Sequence, residues 1–149
     1  MKRFRFGLEK LLELRLYAER EAEMSLARAI GEAAALDSRL EALARERVAV
    51  AADRFAPGRD GNEMRRAELY LLRLDRTKGA LFEAAAKAAM VADAAREVFV
   101  EASRDRKVIE KLKEKRKAEY RRSAAQEEIK TMDDISGGAA ARRAASDGY

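Results

Sequence analysis

Apolar residues recur along most of this chain in alternating steps of three and four. From Leu8 the count runs Leu8, Leu12, Arg15, Glu19, Ala22, Leu26, Ala29, Ala33, Leu36, Leu40, Leu43, Arg47 and Val50. A second track runs Ala67, Leu71, Leu74, Lys78, Leu81, Ala85, Ala88, Ala92, Ala95, Phe99, Ala102, Arg106, Ile109 and Lys113. Such spacing gathers apolar side chains into one stripe of a helix, the seam of a coiled coil. Between the tracks lies Ala56-Pro57-Gly58-Arg59-Asp60-Gly61-Asn62, which holds the chain's single proline and two of its glycines. The pattern predicts an all-α fold, a long two-helix antiparallel coiled-coil hairpin. Its helices are expected at about 5–54 and about 63–134, joined by a loop at about 55–62.

A loop this short makes the helices antiparallel. Folding about the middle of the breaker sets Leu43 against Leu74, Leu36 against Leu81, Ala29 against Ala88, Ala22 against Ala95 and Leu8 against Ile109. Leucine meets leucine and alanine meets alanine, which favours pairing within one chain. Gly31 and Gly79 fall off the seam, where each lowers helix propensity by about 1 kcal/mol relative to alanine. The same register puts the partner of the N-terminus near Lys113, while helical composition continues at least to Lys130. The second helix should therefore overhang the first by roughly 25 Å, at about 1.5 Å per residue. Leu112, Tyr120, Ile129 and Met132 on this stretch read either as groups awaiting a partner or as part of a frayed end. Gly137-Gly138 is expected to stop the helix, giving a single coiled coil over 1–135 and a disordered tail over 136–149.

Composition narrows the chemistry. The chain of 149 residues is 40% charged and 48% hydrophobic, and much of the hydrophobic share is alanine. This is the balance of an exposed helix without a deep core. Histidine, cysteine and tryptophan are absent. That removes disulfides, zinc sites with nitrogen or sulfur ligands, thiol nucleophiles and the commonest general base. No enzymatic activity, catalytic residue, metal or cofactor is expected. The adjacent Asp133 and Asp134 are too ordinary a pair to make a metal site. Charged residues interrupt Leu8–Leu16, so no signal-peptide apolar region is read there, and no run reaches membrane-spanning length. The expectation is a soluble cytoplasmic protein.

The formal charge is +5. Between Arg104 and Arg122, ten lysines and arginines oppose four carboxylates, so that stretch alone carries a net six positive charges. Basicity is therefore local to the place where the second helix is expected to leave the first. A solvated helix face, a plug for an acidic protein socket and a phosphate-binding strip are all compatible with it. Nucleic acid is not the expected partner, because no groove-reading motif accompanies the basic stretch.

Three segments carry a family resemblance: Phe4-Arg5-Phe6-Gly7-Leu8-Glu9-Lys10-Leu11-Leu12-Glu13-Leu14-Arg15, Glu68-Leu69-Tyr70-Leu71-Leu72-Arg73-Leu74, and Glu127-Glu128-Ile129-Lys130-Thr131-Met132-Asp133-Asp134. In order, spacing and loop position the sequence resembles the FliJ family, the small coiled-coil component of bacterial flagellar type III export. Ser136-Gly137-Gly138 departs from the helical ending usual there. The resemblance implies a stalk-like hairpin whose open end enters the hexameric export ATPase ring. It also implies a contact with the cytoplasmic region of the export gate, escort of substrate chaperones, and a cytoplasmic place on the inner-membrane export apparatus. The ATPase-contacting residues it implies are Lys111, Lys115, Arg122, Lys130, Met132, Asp133 and Asp134, with Phe4 and Phe6 clamping the open end or acting as an ordinary hydrophobic staple. Tyr70 and Leu74 match the gate-contacting positions, although Leu74 also lies on the seam. A stalk protein of a virulence secretion system, or a generic coiled-coil spacer with a basic nucleic-acid-binding end, is the alternative.

Overall fold

The computed structural model describes residues 3–146. It contains two helices, α1 (Glu9–Asp53) and α2 (Gly61–Ser146), packed against each other as an all-α hairpin. Of the seam positions, only Leu8, Arg15 and Lys78 are exposed, and all the others are buried or half-buried. Leu12, Ala22, Ala29, Leu43, Leu71, Leu74 and Ala92 are the buried ones. A three-four count thus identified the inward face along both helices. No buried residue is polar or charged among those described, as expected where charges keep to the solvent side of a two-helix contact.

The packing falls into two compact units, one spanning residues 17–103 and the other combining the N-terminal segment through Leu16 with α2 from Arg104 onward. In the first, Leu43, Leu71 and Leu74 form the apolar cluster, with Val50, Ala51, Tyr70 and Leu81 around it. This contains the expected meeting of Leu43 with Leu74. Arg47 donates from Nε to Asp75 Oδ1 at 2.7 Å beside it. The turn between the helices has defined chemistry. Arg59 N–H donates to the Ala56 carbonyl at 3.3 Å, with Pro57 and Gly58 at the two central positions. Gly58 has φ of 90°, a value that disfavours any side chain and suits the third residue of a type II turn.

Helix α2 begins two residues earlier than the composition predicts, and the reason is a reciprocal cap. Glu63 N–H donates to Asp60 Oδ1 at 2.7 Å, and Asp60 N–H donates to Glu63 Oε2 at 3.0 Å. This capping box satisfies donors that the first helical turn leaves open. Asp-x-x-Glu at 60–63 was its signal in the sequence.

The other end of α2 corrects the expectation more substantially. The helix does not stop at Gly137-Gly138 but continues to Ser146, so 136–146 is helix and not a disordered tail; residues 147–149 lie outside the described residues. Neither glycine has positive φ. Ala139, Ala140, Ala141, Ala144 and Ala145, with Arg142 and Arg143, are strong helix formers that offset about 1 kcal/mol per glycine.

Candidate partner-binding surfaces

In the unit holding both ends of the chain, the N-terminal segment is not helical from residue 5 as the pattern suggested. It enters α1 only at Glu9, because Phe4 and Phe6 are used for packing first. Phe6 is buried at 8% exposure, and its carbonyl accepts from Glu9 N–H at 3.2 Å. Lys113 Nζ lies 6.0 Å from the Phe6 ring centroid and 2.8 Å from Glu9 Oε1. Farther along α2, the Phe4 and Tyr120 rings are 5.6 Å apart. Arg15 closes the other side with a 2.9 Å bond to Asp105. The segment before α1 therefore follows α2 as far as Tyr120, about two turns beyond the expected limit near Lys113.

These contacts sort the basic stretch. Lys113 turns inward to Glu9 and Arg106 is paired with Glu110. Arg104, Lys107, Lys111, Lys115 and Arg122 recur at three-, four- and seven-residue spacing and are all exposed. They form one outward cationic stripe, on the side of α2 away from the seam residues Arg106, Ile109 and Lys113. Of the ATPase-contacting candidates, Lys111, Lys115 and Arg122 lie together on it. Lys130, Met132, Asp133 and Asp134 are exposed on the continuing helix, where Met132 is 71% exposed beside Ile129 and Ile135.

The two gate-contacting candidates, Tyr70 and Leu74, lie in the other unit and face inward. Leu74 is buried at 7% exposure. Tyr70 is half-buried against the leucine cluster, and its hydroxyl donates to the Glu46 carboxylate. That bond, then desolvation and the negative charge of Glu46, hold the phenol above its ordinary value, with Arg73 acting in the opposite sense. Asp75 is held low by its bond from Arg47, despite some desolvation. The outward side of the same turns carries Arg65, Leu69, Leu72 and Arg76 at four-, three- and four-residue spacing, with Leu69 and Leu72 well exposed. This second apolar phase runs alongside the seam but out of step with it. The adjacent leucines Leu71-Leu72 signalled it, since one helix face accepts only one of two neighbours.

Among the described residues no group of three or more acidic residues is placed to hold a metal ion, and no helix is long and apolar enough to cross a membrane. What the exposed faces display along the helices is charge and apolar side chains. The family model for the flagellar FliJ protein matches residues 4–145. The chain belongs to the FliJ family. Its match takes in all but a few residues at either end, including the helical run past Gly137-Gly138. As a FliJ family member it is associated with flagellar type III protein export. No curated protein and no solved structure matches the chain.

Proposed function

We propose that this FliJ family protein acts in flagellar export as a stalk that engages the hexameric export ATPase through the end of the hairpin bearing both termini. The observation that supports this reading best is the outward stripe of Arg104, Lys107, Lys111, Lys115 and Arg122. It faces away from the hairpin contact, so a carboxylate-lined socket can meet it without disturbing the fold. Beyond it, Lys130, Met132, Asp133 and Asp134 extend the contact along the exposed helix. Contact with the export gate belongs, in this reading, to the loop-proximal turns of α2, through Leu69 and Leu72 with the accessible edge of Tyr70. Leu74 supports that surface from within the seam. Escort of substrate chaperones and peripheral association with the membrane export apparatus complete the proposed role.

The test is ATP turnover by the cognate export ATPase with the full chain and with Lys111→Glu/Lys115→Glu/Arg122→Glu. The unmodified chain is expected to stimulate turnover, less strongly as ionic strength rises. The triple variant should keep its helicity and lose most of the stimulation. Equal stimulation by both proteins would remove the basic stripe from the mechanism.

A further inference from the structure

Past the N-terminal segment, α2 runs from about Ala124 to Ser146 with nearly every residue exposed. One face in steps of three and four carries Ala124, Glu128, Thr131, Ile135, Gly138, Arg142 and Ala145. Ile135 is 63% exposed at its centre, and a shallow groove along its first half is lined by Tyr120, Ala124, Glu127, Glu128, Thr131 and Met132 among others. Among the described residues, neither Glu128 nor Arg142 makes an ion pair. Arg142 only donates from Nε to its own helix at the Gly138 carbonyl, at 3.1 Å.

The charges on this face are self-complementary in one orientation. Glu128 and Arg142 stand equally far from Ile135, about two turns on either side. When a second copy is laid antiparallel across Ile135, each Glu128 meets an Arg142 and the two isoleucines come together. A parallel copy would instead oppose Glu128 to Glu128 and Arg142 to Arg142. Antiparallel pairing also aligns the helix dipoles favourably. Small residues at every seventh position, Ala124, Thr131, Gly138 and Ala145, let the backbones approach. The space beside Gly138 holds only the mobile end of Arg142, 3.9 Å from where a Cβ would stand.

We propose that residues 124–146 are a self-association surface, through which two copies of this chain pair antiparallel with reciprocal Glu128–Arg142 contacts. The symmetry identifies the occupant, because the face carries both halves of its own match about a single centre. The pairing is weak and reversible, since exposed ion pairs add little and the apolar centre is small.

Sedimentation equilibrium of the full chain over a concentration series tests this without reference to the ATPase. A monomer–dimer equilibrium is expected for the unmodified protein. Glu128→Arg alone and Arg142→Glu alone should each weaken it at least fivefold, because each homodimer then opposes like charges. An equimolar mixture of the two variants should recover dimers, since both cross-pairs become opposite in sign. A chain that stays monomeric throughout, variants that pair as well as the unmodified protein, or a mixture no better than its components would each overturn the proposal. Circular dichroism of the variants should match the unmodified chain, as both positions are exposed on a helix.

Discussion

Tyr70 shows how one residue can serve two directions at once. Its ring packs on the Leu43, Leu71 and Leu74 cluster while its hydroxyl crosses to Glu46 on α1. Counting seam positions placed it off the seam. Its inward lean became visible only with the partner helix present, because the acceptor lies 24 residues away in sequence. The raised phenol has a definite consequence for stability. The folded state holds the proton more tightly than the unfolded chain, so this contribution is complete below the ordinary tyrosine value of about 10 and is lost as pH rises through the folded value. Tyr70→Phe should keep the ring packing and abolish that part of the alkaline decline, which thermal melts of both proteins between pH 8 and 11 will reveal. An unchanged alkaline decline in the variant would assign the effect to other groups. Asp75 acts in the opposite sense: its share is present above the ordinary carboxylate value and is lost as pH falls through its lowered one.

Along α2 the two faces of the loop-proximal turns differ in burial, and substitutions should separate packing from the proposed gate contact. Leu74→Ala removes a side chain buried at 7% exposure and should lower stability by about 2 kcal/mol or more. Leu69→Ala/Leu72→Ala removes exposed side chains, should leave the melting temperature nearly unchanged, and should weaken binding to the export gate's cytoplasmic region in a pull-down or calorimetric titration. Gate binding that survives this change would move the contact elsewhere. The element scale is also where the sequence was most and least legible. Period alone found the buried stripe of both helices, since alternation of three and four leaves few solutions for Leu43, Leu71 or Ala92. It mistook Gly137-Gly138 for a stop, because a pair of glycines ends a helix only where the chain can take a left-handed turn, and five alanines follow closely here. It missed the Asp60–Glu63 cap although the residues were in plain view. The local start of α1 also escaped it, because Phe4 and Phe6 are held by Tyr120 and Lys113, more than a hundred positions away.

At the scale of the whole molecule, antiparallel pairing sorts contacts by the length of chain between them. Near the turn, Arg54 meets Glu68 across 14 positions and Arg47 meets Asp75 across 28. At the ends, Arg15 meets Asp105 across 90 and Lys113 meets Glu9 across 104. Closing the longest of these loops directly costs about 2 kcal/mol more entropy than closing the shortest, which favours zippering outward from the Pro57-Gly58 turn. Leu71→Ala is therefore expected to slow folding, while Ile109→Ala should chiefly accelerate unfolding. Chevron plots of the two variants provide the comparison, and a slower folding limb for Ile109→Ala would reverse the order. The function was less legible than the fold, because charge and apolar exposure describe a surface without naming what covers it; the segments around Phe4, Tyr70 and Met132 pointed to the family only through their order. The turn also sets a clock during synthesis. Arg47 leaves the ribosome 28 residues ahead of its partner Asp75, roughly one to six seconds at ordinary elongation rates. Through that interval the leucine face of α1 is bare, and the cell's chaperones have their opportunity before the second helix arrives.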